Sequence, residues 1–270
     1  MTFNPFDLTG RVAVITGGAG LLGLSHARAI HHAGGIPVLI DIAAPPAEQL
    51  RARAGFEARC LRCDITREDQ VQDSLSTLLS DYGRIDILVN NAANNPKVED
   101  ANGLNNSRLE TFPLSQWQAD IAVGLTGALL CSRVFGGEMA RRGKGVIVNV
   151  ASDLALIAPD QRLYAVDGLP AAAQPVKPVS YSVVKTGLIG LTRYLATYWA
   201  EQGVRANALC PGGVENGQDA GFLRRIADLI PLGRMAARDE YQGAMLFLCS
   251  DASSYMTGAV LSIDGGRSTW

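Results

Sequence analysis

Tyr181 and Lys185 stand four residues apart in the stretch SYSVVKTG, residues 180–187. On a helix, side chains at i and i+4 share a face, so the spacing sets an ammonium beside a phenol. A neighbouring cation makes the phenolate easier to form. That matters because tyrosine, with an ordinary pKa of about 10, is a poor base at neutral pH. Lysine is scarce in this chain: Lys97, Lys144, Lys177 and Lys185 are the only four, against twenty arginines. The pair is either acid–base machinery or a helical surface pair, and the rest of the chain decides between them. The competing Tyr164 has Gly168 four residues later and no lysine partner.

A second group of residues suits a dinucleotide. The turn TGGAGLLG, residues 16–23, follows an apolar run and precedes a helical one. Glycines there allow a tight turn and close approach of a pyrophosphate to the helix start, whose N–H groups and dipole favour anions. Asp41 ends the next apolar run, 18 residues after Gly23. A carboxylate at that place accepts hydrogen bonds from ribose hydroxyls and repels a 2′-phosphate. No lysine or arginine lies between residues 29 and 50, so the expected cofactor is NAD rather than NADP.

The elements that must position these groups read as alternating strands and helices. Strand-like runs lie at 11–17, 36–41, 57–64, 85–90, 145–152, 204–212 and 259–266, and helical patterns at 21–34, 67–82, 115–142, 179–202 and 235–250. Near-continuous apolar strands separated by helices predict a parallel sheet covered on both faces. Right-handed crossovers then give a doubly wound, Rossmann-type α/β fold of seven strands, expected as one domain over residues 1–270. Two loops stand out as active-site insertions: an Asn-rich one at 94–115 and one with four prolines at 153–179. Both leave the carboxyl ends of strands, where such sheets bind ligands.

Composition excludes other classes. With 24 basic and 26 acidic residues, the chain has no electrostatic footprint for nucleic acid or anionic lipid. The first ten residues lack the basic and apolar regions of a signal peptide, and no apolar run is expected to approach the span of about 20 residues that a bilayer requires; a cytoplasmic protein is expected. Cys60 and Cys63 have CxxC spacing, but no second pair follows and the three histidines cluster at residues 26–32, so they read as small hydrophobes and no metal is expected.

With these motifs in order, the chain resembles the short-chain dehydrogenase/reductase family over residues 8–266. The resemblance implies that Gly17, Gly20, Leu21 and Leu22 lie on the pyrophosphate, and that Asp41 and Ile42 flank the adenosine ribose. Asp64 and Ile65 resemble the family's adenine-contacting pair. NNAA at 90–93 resembles NNAG, setting Asn91 and Ala92 along the cofactor. CPGGVEN at 210–216 resembles the PG loop, bringing in Pro211, Gly212, Val214 and Asn216. Ser152 aligns with the family's catalytic serine, Tyr181 with its acid/base, and Lys185 with the lysine that assists that tyrosine and holds the nicotinamide ribose.

Four departures accompany the match. Leu21 replaces the middle glycine of TGxxxGxG, Gly124 stands where the family's relay asparagine is found, and Asn216 replaces the PGxxxT threonine. Ser152 and Tyr181 are 29 residues apart, about twice the family spacing, which makes the intervening loop a specificity element. Asn94, Asn95, Lys97, Asp153, Asp160, Gln161, Arg162 and Glu215 are polar candidates near the pocket and suit a hydroxyl-rich substrate such as a sugar, sugar acid or polyol. The expected reaction interconverts a secondary alcohol and a ketone. The alternative is a catalytically weak NAD(H)-binding sensor or scaffold, favoured by Gly124 and opposed by the intact Ser152, Tyr181 and Lys185. An epimerase of the extended relatives would need more than the 54 residues that follow Asn216. The resemblance also implies a homo-oligomer, dimer or tetramer, paired through segments 115–142 and 179–202; a monomer in light scattering would contradict it. The terminal RSTW is expected to fray.

Overall fold

The computed structural model describes residues 4–94 and 107–270. Its seven strands are β1 (Val12–Thr16), β2 (Ile36–Asp41), β3 (Arg59–Arg62), β4 (Ile87–Asn90), β5 (Gly145–Val150), β6 (Val204–Pro211) and β7 (Val260–Ile263). They form one sheet in the order β3-β2-β1-β4-β5-β6-β7, every pair parallel. The order reverses between β1 and β4, so their carboxyl ends open the crevice where a doubly wound sheet takes its ligand.

Alternation within each strand feeds two cores. Val12, Val14, Val38 and Ile40 point to one face, and Ala13, Ile15 and Leu39 to the other. The first face is covered by α3 (Glu68–Tyr82), α4 (Leu114–Arg141) and α5 (Val179–Tyr198) through Val71, Leu78, Phe135 and Leu195. The second is covered by α1 (Leu21–His32), α2 (Ala47–Ala54) and α7 (Gln242–Cys249) through Leu24, Ile30, Leu50 and Leu248. Cys60 packs against the second core while Cys63 lies in the first, so the two thiols of the CxxC spacing sit on opposite sides of the sheet.

Several sequence expectations are corrected. Two short helices were not foreseen: α2, and α6 (Ala220–Ala227), which is capped by Asp219 accepting from Phe222 N at 2.9 Å. Both are only eight residues long, and α2 is polar with little periodicity to read, whereas α6, AGFLRRIA, is amphipathic but too short to stand out from its flanking loop. The segment expected to be helical from 235 starts only at Gln242. By length and composition α4 is long and apolar enough to cross a membrane, yet half of its apolar window is buried inside the fold, as in a core helix. Asp120 and Arg133 interrupt that window, which hid it from a search for uninterrupted apolar runs. The carboxyl terminus is not frayed either. Arg267–Thr269 form a 3-10 turn, and Trp270 Nε1 donates to Leu229 O at 3.2 Å.

His26, on α1, is fully buried and neither ring nitrogen has a hydrogen-bond partner. Burial pulls its pKa from 6.5 down to about 4. The unfolded chain therefore takes up a proton across a window in which the folded chain refuses it, and stability falls as pH drops from about 6.5 to about 4. The expected loss is about 3 kcal/mol. His26→Leu should remove that component of the slope in urea titrations run at pH 7 and pH 4.5; an unaltered slope would contradict it.

Candidate active site

A cleft of about 600 Å³ runs across the carboxyl ends of β1, β2, β4, β5 and β6. At one end the chain turns from β1 into α1. Gly17 has φ +59°, and a Cβ there would meet Ala92 Cα at 2.9 Å; a Cβ on Gly23 would meet Gly17 O at 2.4 Å. These close approaches need glycine, and Gly20, directly before Leu21, takes the N-cap of α1 with no side-chain cap. The helix start is thus left to the cleft, the arrangement that suits a pyrophosphate. Asn91 ties β4 to this turn, its Nδ2 donating to Thr16 O at 3.0 Å and Gly17 O at 3.2 Å. The Thr16 hydroxyl oxygen accepts from the N–H groups of Asn91 and Ala92.

Asp41 closes β2 with both oxygens engaged: Ala19 N donates to Oδ2 and Ala43 N to Oδ1, each at 3.1 Å. Arg53, which sequence reading missed, arrives from α2 and donates to Ala19 O at 2.7 Å. The exposed Ile42 follows Asp41. Asp64 accepts from Thr66 at 2.7 Å through its hydroxyl, and the buried Ile65 packs where a Cβ on Gly127 would reach it at 2.7 Å. Pro211 ends β6 and Gly212 and Val214 follow it, with Tyr241 Oη donating to Gly212 O at 2.9 Å. Asn216 accepts from Arg238 Nη2 at 2.8 Å.

At the other end the structure brings Ser152, Tyr181 and Lys185 together. Lys185 is buried and donates to Val150 O at 2.8 Å; its Nζ lies 5.8 Å from the centroid of the Tyr181 ring. Burial lowers its pKa to about 8. Burial raises the pKa of Tyr181, a hydrogen bond with Ser152 opposes the rise, and the Asp153 carboxylate adds to it. Ser152 Oγ donates to Asp153 Oδ1 at 2.8 Å, and Arg267 Nη1 donates to Asp153 Oδ2 at 2.7 Å. Both members of that ion pair are buried. α5 is held to the sheet by a buried polar chain: Asn90 Nδ2 donates to Asn149 Oδ1 at 2.8 Å, and Asn149 Nδ2 to Thr192 Oγ1 at 2.8 Å. Among the described residues, Asn90 Oδ1 alone is left without a partner in this otherwise bonded chain, which ties α5 to β4 and β5 at a fixed register.

All seventeen residues named from the sequence as catalytic or cofactor-binding line this one cleft. The substrate candidates divide. Asn94 and Asp153 line it, and so does Lys177, which was not among them. Asp160 and Arg162 pair with each other at 2.6 Å, Arg162 being largely exposed; neither lines the cleft, nor do Gln161 and Glu215. Gln161 instead accepts from Lys177 N at 2.8 Å. Asn95 and Lys97 lie outside the described residues. Tyr164 lines the cleft as well, its pKa pushed by burial up to about 12.

Gly124 has a packing reason. A Cβ there would come 2.4 Å from Val184 Cγ1, so α4 and α5 approach too closely for an asparagine. Gly124→Asn is expected to lose about 1–3 kcal/mol by overpacking, and Val184→Ala in the same chain to recover most of it, both read by thermal unfolding. Equal destabilisation with and without Val184→Ala would contradict this packing account.

Residues 11–165 match the short chain dehydrogenase family, and residues 170–268 match a family described as enoyl-(acyl carrier protein) reductase. The chain belongs to the short-chain dehydrogenase family. It is 35% identical to a D-threitol dehydrogenase of Mycolicibacterium smegmatis, covering 97% of this chain and 94% of that one. It is 34% identical to a cis-4-hydroxycyclohexanecarboxylate dehydrogenase of Sinomonas cyclohexanicum, covering 95% and 96%. A gluconate 5-dehydrogenase structure from Burkholderia cenocepacia, in complex with NADP and tartrate, superposes with a TM-score of 0.83 at 30% identity, covering 98% of each chain. Members of this family act on alcohols with a nicotinamide dinucleotide.

Proposed function

We propose that this short-chain dehydrogenase oxidises a secondary alcohol on a small polyhydroxylated molecule, a polyol, sugar or sugar acid, with NAD as cofactor. The observation that carries the proposal is the convergence of Ser152, Tyr181 and Lys185 at the end of a cleft whose other end is the glycine turn and Asp41. The cleft suits the cofactor: glycine cradles close against Ala92, an uncapped helix start and a carboxylate at the end of β2 fit a dinucleotide. When bound, the nicotinamide supplies the hydride acceptor. Tyr181 Oη takes the carbinol proton as the alcohol becomes a ketone and returns it in the reverse reaction. Lys185 places a cation beside that phenol, and Ser152 orients the reacting oxygen. The turn at Gly17, Gly20, Leu21 and Leu22 would hold the pyrophosphate. Asp64, Ile65, Asn91 and Ala92 would line the adenine and ribose, and Pro211, Gly212, Val214 and Asn216 the carboxamide side.

The substrate class draws support from similarity to dehydrogenases of D-threitol and of a hydroxylated carboxylate. The loop 153–179 contributes Leu154, Tyr164 and Lys177 to the cleft, in keeping with a specificity element. Gly124, the observation favouring a sensor, is accounted for by its packing on Val184. The exposed Leu129, Val183, Tyr194 and Tyr198 on α4 and α5 suit pairing with a second copy of the chain through those helices.

The cofactor assignment rests on Asp41, since a solved relative holds NADP. A carboxylate facing a 2′-phosphate opposes it by a few kcal/mol. Asp41→Ser should therefore raise the NADP-to-NAD ratio of kcat/KM by about 30-fold or more, helped by Arg53, which already touches the turn through Ala19. A wild-type enzyme that prefers NADP, or a ratio unmoved by the substitution, would overturn the assignment.

A further inference from the structure

The residue after Ser152 is an aspartate, and its buried carboxylate works against ionisation of Tyr181. Lys185, the lysine singled out by spacing, is committed to Val150 O and sits 5.8 Å from the ring centroid. A nearer cation is present. Lys177 Nζ lies 3.9 Å from the centroid of the same ring. Lys177 is four residues before Tyr181 as Lys185 is four after it, so the tyrosine is bracketed in the pattern KxxxYxxxK. It reaches the site from the end of the long proline-rich loop, immediately before Pro178, the N-cap of α5. Burial lowers its pKa to about 8, and Asp153 acts in the opposite direction, so the two groups feel each other.

We propose that Lys177 is a positioning residue for the acid/base step, its ammonium held over the ring of Tyr181 to offset the Asp153 carboxylate and favour the phenolate. A cation over an aromatic face is attracted by the ring's electron density, and that density is greater in the phenolate than in the phenol. Among the described residues, the charged and titratable groups around Tyr181 are Asp153 beyond Ser152, Arg267 from the terminal turn, Tyr164 from the loop, Asp120 of α4, which accepts from the adjacent Ser180, and Lys177 and Lys185 on either side of the tyrosine. Arg267 is engaged with Asp153 at 2.7 Å, and Lys177 is the cation stacked on the ring. The doubled length of the loop between Ser152 and Tyr181 has a physical consequence here: its far end returns a second lysine to the phenol. The inference rests on the dehydrogenase reading of this site.

The test compares wild type with Lys177→Met and Lys177→Arg, with thermal unfolding as a check on folding. In kcat/KM against pH for alcohol oxidation, Lys177→Met should move the acid limb up by about one pH unit. Activity at pH 7 should then fall about tenfold and recover at high pH, while Lys177→Arg restores most of the wild-type profile. A raised KM with an unmoved profile would instead make Lys177 a substrate contact and overturn the proposal. Unchanged kinetics would overturn it as well. A second readout needs no turnover: ultraviolet titration of tyrosinate with NAD present, taken as the difference between each protein and its Tyr181→Phe counterpart. The Tyr181 titration should shift upward in Lys177→Met; an unshifted titration refutes the role of Lys177 whether or not the dehydrogenase reading holds. Absence of alcohol turnover in the wild type would count against the dehydrogenase reading alone.

Discussion

Replacing Tyr181 by phenylalanine is expected to lower kcat by about 10³-fold or more, the scale of a lost general acid/base, while cofactor affinity stays within about threefold. The phenol oxygen is the one atom removed, and the half-buried ring keeps its place between Lys177 and Lys185. Lys185→Met should cost both quantities: the phenol loses its helix neighbour, and the bond to Val150 O at 2.8 Å that joins α5 to β5 disappears. Parallel initial-rate and calorimetric titrations separate the two effects. Retained turnover in Tyr181→Phe would mean that another group moves the proton. Tyr164 is the tyrosine to consider then, although burial holds its pKa up at about 12.

Arg267→Met is expected to destabilise the fold by about 3–5 kcal/mol, because it leaves the buried Asp153 carboxylate without its cation. In a chain of this size that corresponds to a fall in Tm of about 10 °C. The substitution also releases the terminal turn, whose closure depends on the contact between positions 114 residues apart. Ser152 donates to the same carboxylate, so kcat should fall along with stability. Asp153→Asn combined with Arg267→Met should be less damaging than the sum of the two single changes, since the pair is removed together. Urea unfolding of the four proteins gives the coupling directly. A loss below about 1 kcal/mol for Arg267→Met would place this pair with ordinary surface ion pairs.

The contrast between what could and could not be foreseen follows sequence distance. The strands were legible because buried parallel strands are near-continuous apolar runs, as VAVIT and IPVLID show. The glycine turn and Asp41 were legible because their chemistry is local to one strand–turn–helix unit. Tyr181 and Lys185 were legible because helical spacing is itself a distance rule. Arg267 could not be paired with Asp153 in advance, since nothing local in GGRSTW says which strand end it meets. Arg53 lay just past the stretch scanned for cations and is carried back to Ala19 by a helix too short and polar to detect. Lys177 was in plain view at the mirror spacing to Lys185, but proline-rich sequence on its amino side concealed that it returns to the phenol. The reverse error occurred at Asp160, Gln161, Arg162 and Glu215. Those residues belong to the right segments, yet the Asp160–Arg162 pair, the bond from Lys177 N to Gln161 and the backbone bond from Glu215 N to Ala236 O accompany their placement outside the cleft.

The most direct test of the central claim is the initial rate of reduced-cofactor formation with D-threitol, galactitol and gluconate, each with NAD⁺ and with NADP⁺, and with Tyr181→Phe run alongside. NAD⁺-dependent oxidation of at least one of these, lost in Tyr181→Phe while the cofactor still binds, is the predicted result. Binding of NAD⁺ with no turnover on any of them, or turnover that survives Tyr181→Phe, would contradict it.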